Sequence, residues 1–268
     1  MRFLGRLLLG IWGGVWAVLA ASIVGSIYLL GYPFKREPGW TDWVQRLFAR
    51  SMLLCIGIRV RVEGRENIPT GRACVLMANH RSYLDIPVVV MGLREISVLF
   101  VAKRELTRIP FFGWALGASY HIKVDRGDRE QAIAALRESV EKIGAGVGLA
   151  VFPEGTRAPT HRLLRLKKGG FYVAVDTGFP ILPVSIQNSG ELFGKKSWLP
   201  RPGIITVVVH PLVVTEGKKR EDVPELMRLV RKTMLSGLPN ALRLETEGEQ
   251  AGSSPARTDS PATMKGGS

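Results

Sequence analysis

Chemistry that depends on thiols or a bound metal has little to draw on in this sequence. Its 268 residues include two cysteines, Cys55 and Cys74, both in apolar runs and neither at a metal-ligand or redox spacing. They read as buried free thiols of a reducing compartment. The four histidines, His80, His121, His161 and His210, are widely spread, and no H-E-x-x-H or C-x-x-C pattern occurs, so no metal site is expected. Acidic residues are also few: 23 Asp and Glu stand against 37 Lys and Arg, a formal charge of +14. Such a surface seeks anions, and nucleic acid, anionic headgroups and phosphorylated substrates are the candidates. No internal repeat and no nucleic-acid-binding motif is present, which argues against the first.

Charge is missing altogether from Leu7 to Tyr32, a run of Leu, Ile, Val, Ala, Gly and Trp. At ~1.5 Å per residue such a helix is long enough for a ~30 Å hydrocarbon core. A cleaved signal peptide, cut near Ala20, is the competing reading, although its apolar core is normally only about 7–15 residues. Arg2 and Arg6 precede the run and Lys35 and Arg36 follow it, so flanking charge does not decide its orientation. Thr41 to Cys55 reads as a second, amphipathic helix, with Trp43, Val44, Leu47, Phe48 and Met52 at helical spacing. A core-facing helix and a helix lying in the membrane interface account for it equally well. Residues 1–55 are therefore expected to form a membrane-embedded N-terminal helical region.

Residues 56–244 read as a globular α/β domain, a layered sheet with flanking helices. Ile58, Val60 and Val62 alternate with Arg59, Arg61 and Glu63, a period-two strand. Further strands are expected at Cys74–Ala78, Ile96–Ala102, Ile122–Val124, Val147–Phe152, Ile181–Ile186 and Ile204–Val209. Helices are expected over Asp128–Ile143 and Asp222–Leu235, with Asp128 and Asp222 as N-caps and Gly144 and Gly237 as stops. Residues 245–268 are rich in Gly, Ser, Pro, Thr and Ala and read as a disordered tail.

Two stretches carry chemistry. Asn79-His80-Arg81-Ser82-Tyr83-Leu84-Asp85 follows directly on the strand Cys74–Ala78. On one regular helix His80 and Asp85 would point about 140° apart. If His80 sits in the turn and Asp85 begins a helix, the carboxylate can hold one imidazole nitrogen and leave the other as a base. A plain Asn-His turn with an Asp cap explains the same residues. The second stretch is Phe152-Pro153-Glu154-Gly155-Thr156-Arg157, closing the strand that begins at Val147. Gly155 permits close backbone approach to a ligand, Thr156 brings a hydroxyl, and Arg157 a planar fork suited to phosphate. His161, Arg162, Arg165, Lys167 and Lys168 crowd the span that follows.

Taken together these motifs resemble the glycerophospholipid acyltransferase family, which includes 1-acylglycerol-3-phosphate acyltransferases. The family's N-H-x-x-x-x-D is matched by Asn79, His80 and Asp85, and its F-P-E-G-T-R by Phe152 to Arg157. A region between them is matched by Lys103-Arg104-Glu105-Leu106, Ile109 to Trp114 and Val124-Asp125-Arg126, and a fourth by Ile181-Leu182-Pro183-Val184-Ser185. The resemblance covers roughly residues 56–210. It departs ahead of Asp125-Arg126, where the family usually carries small and apolar residues and this chain has Tyr120, His121 and Lys123. Strand alternation puts His121, Lys123 and Asp125 on one face, which bears on the acceptor rather than on the reaction.

The resemblance implies transfer of a fatty acyl group from acyl-CoA or acyl carrier protein to the sn-2 hydroxyl of 1-acylglycerol 3-phosphate, giving phosphatidic acid. It implies His80 as base and Asp85 as its support. Arg157, Arg126 and Lys103, with Glu154, Gly155 and Thr156, would then form the substrate site, Glu154 orienting the cations. No cofactor beyond the acyl donor and no metal is implied. The catalytic domain would sit on the cytoplasmic side of the cell membrane, with membrane lipids and lysophosphatidic acid as partners. A lyso-aminolipid acceptor, or a non-catalytic lipid-binding protein, are the alternatives.

Overall fold

The computed structural model describes residues 3–31, 38–108, 113, 121–124, 130, 133–134, 137–138, 146–195, 197 and 199–239. Strands in chain order are β1 (Ile58–Glu63), β2 (Cys74–Ala78), β3 (Ser97–Lys103), β4 (Ile122–Val124), β5 (Val147–Val151), β6 (Ile181–Gln187) and β7 (Gly203–Val209). The continuous helices are α1 (Phe3–Gly31), α2 (Pro38–Cys55), α3 (Asp85–Gly92), α4 (Gly169–Thr177), α5 (Ser189–Phe193) and α6 (Val223–Ser236). The expected strands are present to within a residue or so at each end.

The strands form one sheet in the order β1-β7-β6-β2-β5-β3-β4. All neighbours run parallel except β6 and β7. β2 lies at the centre and every one of its residues is buried, which is why it reads as an unbroken apolar run. Its side chains alternate between layers. Val75 and Met77 join Phe171 of α4 and Val230 and Met234 of α6. Cys74, Leu76 and Ala78 join Val88 and Val89 of α3, with Leu53 of α2. β1 closes one edge and keeps Arg59, Arg61 and Glu63 outward. Because β2, β3, β5 and β6 are mutually parallel, their C-terminal ends share one edge of the sheet, where ligands of open α/β sheets gather.

Two terminal details differ from expectation. Asp222 holds the N-cap position of α6, as expected, but its side chain makes no capping hydrogen bond there. It ends a short 3-10 turn, Arg220–Asp222, and its carboxylate accepts the backbone N–H of Lys219 at 2.7 Å. Gly237 does end α6, with φ −90 rather than a left-handed turn. It is glycine because of space: a Cβ there would lie 2.7 Å from Ser185 Cβ. Of the expected helix Asp128–Ile143, Glu130, Ile133, Ala134, Arg137 and Glu138 are helical, and the rest lies outside the described residues. The tail, 245–268, also lies outside them.

α1 runs unbroken past Ala20, and its segment Leu4–Ile27 is long and apolar enough to cross a membrane. Only 6% of its most apolar window is buried. Leu8, Ile11, Val15, Val18, Leu19 and Ile23 are exposed. A core helix would hide these side chains, each worth ~1.5–3 kcal/mol when removed from water. α2 is packed against the globular domain on one side and exposed on the other. Thr41, Val44, Ala49 and Leu53 are buried, and α2 packs on α3. Trp43 and Leu54 stay 53% and 63% exposed.

Candidate active site

The site begins where β2 ends. Asn79 Nδ2 donates to Ile186 O at 3.0 Å, and Ile186 N donates to Asn79 Oδ1 at 2.7 Å. The side chain thus extends the β2–β6 pairing by one step and fixes where the chain turns. Asp85 opens α3, as the spacing required. Its Oδ2 accepts the backbone N–H groups of Arg81 at 2.7 Å and Ser82 at 2.8 Å, and faces His80 Nδ1 at 2.7 Å. Ser82 Oγ accepts the N–H of Leu84 and donates to Phe193 O, which ties the turn to α5. The carboxylate is fully buried. A carboxylate on Nδ1 fixes the tautomer with the proton there, so Nε2 presents its lone pair. The imidazole stacks on Phe152, centroids 4.2 Å apart and planes at 19°. The bland reading, an Asp that stitches the turn, is true as well: Asp85 holds the backbone and the imidazole with one oxygen.

The neighbouring strand end, after β5, supplies the second motif. Gly155 N donates to Phe152 O at 2.9 Å, closing a turn with Gly155 at φ +69. The space above this glycine is filled by Lys167, whose Nζ would lie 2.6 Å from an added Cβ. Gly155 is therefore required by the left-handed backbone of the turn, while the flexible end of the Lys167 side chain occupies the space above it. Glu154 is 2% exposed, and its oxygens are taken by backbone N–H groups: Oε1 by His80 at 2.7 Å, Oε2 by Leu164 at 2.8 Å. Among the described residues it holds the backbone of His80 and Leu164 and forms no ion pair with Arg157. Burial pushes its carboxyl above the usual range, and the two N–H donors pull the other way. Thr156 is exposed. Arg157 lies with its Cζ 3.5 Å from the centroid of the Tyr83 ring.

His80, Asp85, Glu154, Gly155, Thr156 and Arg157 are thus brought to one edge of the sheet. Lys103 closes β3 at that edge; its side chain, and all of Arg126, lie outside the described residues. His121 precedes β4; its Nδ1 accepts the N–H of Phe100 at 3.3 Å, and the two rings meet edge-on. Among the described residues no three His, Cys, Asp or Glu side chains gather as a metal site. Beside the turn that follows β2, an open cleft with a volume of about 50 Å³ is lined by Asn79, Arg81, Glu154, His161, Gln187 and Glu191 among others. There Glu191 Oε1 holds Arg81 Nη1 and His161 Nδ1, each at 2.9 Å. The Asn79–Ile186 bonds, the Phe152 stack and the Tyr83 contact had no separate signal in the sequence.

Comparison with known proteins agrees with this geometry. The family described as Acyltransferase matches residues 59–187, an interval containing both motifs. The 1-acyl-sn-glycerol-3-phosphate acyltransferase of Pseudomonas aeruginosa is 35% identical over 185 residues, 69% of this chain and 68% of that protein. The 1-acyl-sn-glycerol-3-phosphate acyltransferase alpha of Bos taurus is 35% identical over 195 residues, 70% of this chain and 67% of that one. The crystal structure of the 1-acyl-sn-glycerophosphate (LPA) acyltransferase PlsC from Thermotoga maritima superposes with a TM-score of 0.72 at 30% identity, covering 96% of this chain and all of the other. With similarity of this extent in both sequence and fold, the chain belongs to the acyltransferase family.

Proposed function

We propose that this enzyme acylates the sn-2 hydroxyl of 1-acylglycerol 3-phosphate, giving phosphatidic acid, with acyl-CoA or acyl carrier protein as donor and no cofactor of its own. The observation that carries the chemistry is the 2.7 Å contact between His80 Nδ1 and the buried Asp85 Oδ2. The acceptor follows from the relatives named above.

In this mechanism Nε2 of His80 takes the proton of the acceptor hydroxyl as its oxygen attacks the thioester carbonyl. Asp85 stabilises the imidazolium that forms. The tetrahedral intermediate then collapses: the carbon–sulfur bond breaks, and the imidazolium proton passes to the departing thiolate, restoring His80. A positioned base of this kind contributes about 10²–10⁴-fold. Arg157 binds the acceptor phosphate, with Arg126 and Lys103 as further cations, and so brings the hydroxyl within reach of His80. Residues 1–55 associate the protein with the membrane, residues 56–244 form the catalytic domain, and that domain faces the cytoplasm. Two free thiols, Cys55 and Cys74, suit a reducing compartment.

The test is product identification. The purified chain in lipid micelles is given acyl-CoA or acyl carrier protein thioesters with lysophosphatidic acid, other lysophospholipids and lyso-aminolipids, and products are weighed by mass spectrometry. Phosphatidic acid as the dominant product supports the proposal. A dominant acylated lyso-aminolipid changes the acceptor, and no acylated product from any pair contradicts it.

A further inference from the structure

Glu154 stands three residues before Arg157, yet both of its oxygens are occupied by backbone N–H groups. What the guanidinium meets instead is an aromatic face, with Arg157 Cζ 3.5 Å from the Tyr83 centroid. Tyr83 in turn leans on Phe193, centroids 5.5 Å apart and planes tilted by 39°. Phe193 is anchored through its carbonyl, which accepts from Ser82 Oγ at 2.7 Å. Arg157 Nη1 is buried and has no hydrogen-bond partner among the described residues.

The choice of partner matters. A carboxylate would fix a guanidinium but cancel its charge and consume its N–H groups. A ring face fixes the plane and leaves both charge and in-plane donors available. Those are the two properties a phosphate ligand requires.

We propose that Tyr83 is a positioning residue for acceptor recognition: its ring, backed by Phe193, holds the Arg157 guanidinium flat so that its edge meets the acceptor phosphate. This rests on the reading of Arg157 as the phosphate ligand. Tyr83 sits inside the N-H-x-x-x-x-D motif, so the same turn that carries the base also sets the phosphate ligand. The distance between hydroxyl and phosphate of the acceptor is thereby matched by one rigid segment.

The test is steady-state kinetics of the full chain in lipid micelles, varying lysophosphatidic acid and the acyl donor in turn. The variants are Tyr83→Phe, Tyr83→Leu, Tyr83→Ala, Arg157→Ala and Tyr83→Ala/Arg157→Ala, each checked for fold by circular dichroism. Tyr83→Ala should raise the acceptor KM about 2- to 30-fold, the span of a cation–π contact, and leave kcat and the donor KM nearly unchanged. Tyr83→Leu, which keeps bulk without a π face, should match it and serves in its place if the alanine variant does not fold. Tyr83→Phe should behave as wild type. In the Arg157→Ala background, Tyr83→Ala should add nothing.

Additive effects in the double variant overturn the proposal, because Tyr83 then acts elsewhere. A Tyr83→Phe loss equal to that of alanine also overturns it, because the hydroxyl rather than the ring is then responsible. If Arg157→Ala raises the acceptor KM and Tyr83→Ala does not, only the role of Tyr83 fails. If Arg157→Ala leaves the acceptor KM in place, the phosphate assignment fails and the role of Tyr83 falls with it.

Discussion

Glu154 Oε1 accepts the backbone N–H of His80 at 2.7 Å, across 74 residues of sequence. The contact exists because β2 and β5 are parallel neighbours, so the turns that follow them lie side by side. Through Glu154 the F-P-E-G-T-R turn holds the backbone of the N-H-x-x-x-x-D turn in place. Its second oxygen, on Leu164 N–H, holds the far side of the same loop.

A carboxylate can accept both N–H groups, whereas an amide has one acceptor oxygen and turns an N–H toward the other donor. Glu154→Gln should therefore lose about 1–3 kcal/mol of stability, the cost of a buried unsatisfied group, and turnover should fall because His80 moves. Thermal melts and initial rates check this. A Gln variant as stable and active as wild type would contradict this role of Glu154.

Much of this architecture is legible in the residues. β2, β5 and β6 lie inside the sheet and are buried on both faces, so they appear as apolar runs, and β1 alternates because it is an edge. His80 and Asp85 are legible because both belong to one turn. What is hidden depends on strand order. Nothing local to Asn79 says that it bonds Ile186, 107 residues away, and nothing local to Glu154 says that it serves two N–H groups. Gly155 shows the same limit: nothing local to it says that the end of the Lys167 side chain, twelve residues on, lies over it. Asp222 has the right type for a cap, but the 3-10 turn ahead of α6 captures its carboxylate.

A second histidine sets a pH dependence of stability. Ser185 Oγ donates to Met234 O at 2.7 Å and so accepts from His210 Nε2–H at 2.8 Å. This joins the end of α6 to β6. Burial lowers the His210 pKa from the model-peptide value of 6.5. The unfolded chain then binds a proton at a pH where the native protein does not. The stability contributed by neutral His210 is full above about pH 6.5 and is lost as pH falls toward the native pKa, with a slope of at most about 1.4 kcal/mol per pH unit. Denaturation measured from pH 7.5 to 5 should show this loss in wild type and a flatter profile in His210→Gln, whose amide can still donate to Ser185. Equal slopes would remove His210 as the cause.

The exposed apolar side chains of α1 form a surface that lipid would cover. In flotation assays the full chain should rise with liposomes, and Ile11→Glu/Val15→Glu/Val18→Glu should shift it substantially toward the unbound fraction, with the circular dichroism melt of the catalytic domain little changed. Flotation unaffected by the three carboxylates would place membrane binding on another surface.

The central claim is that His80, held by Asp85, is the base of acyl transfer. It is tested most directly by the rate of transfer to lysophosphatidic acid for wild type and His80→Ala, with saturating donor and the fold confirmed by circular dichroism. The account predicts a fall of about 10²–10⁴-fold in kcat with both KM values little changed. A folded His80→Ala protein that turns over within a few-fold of wild type would contradict it.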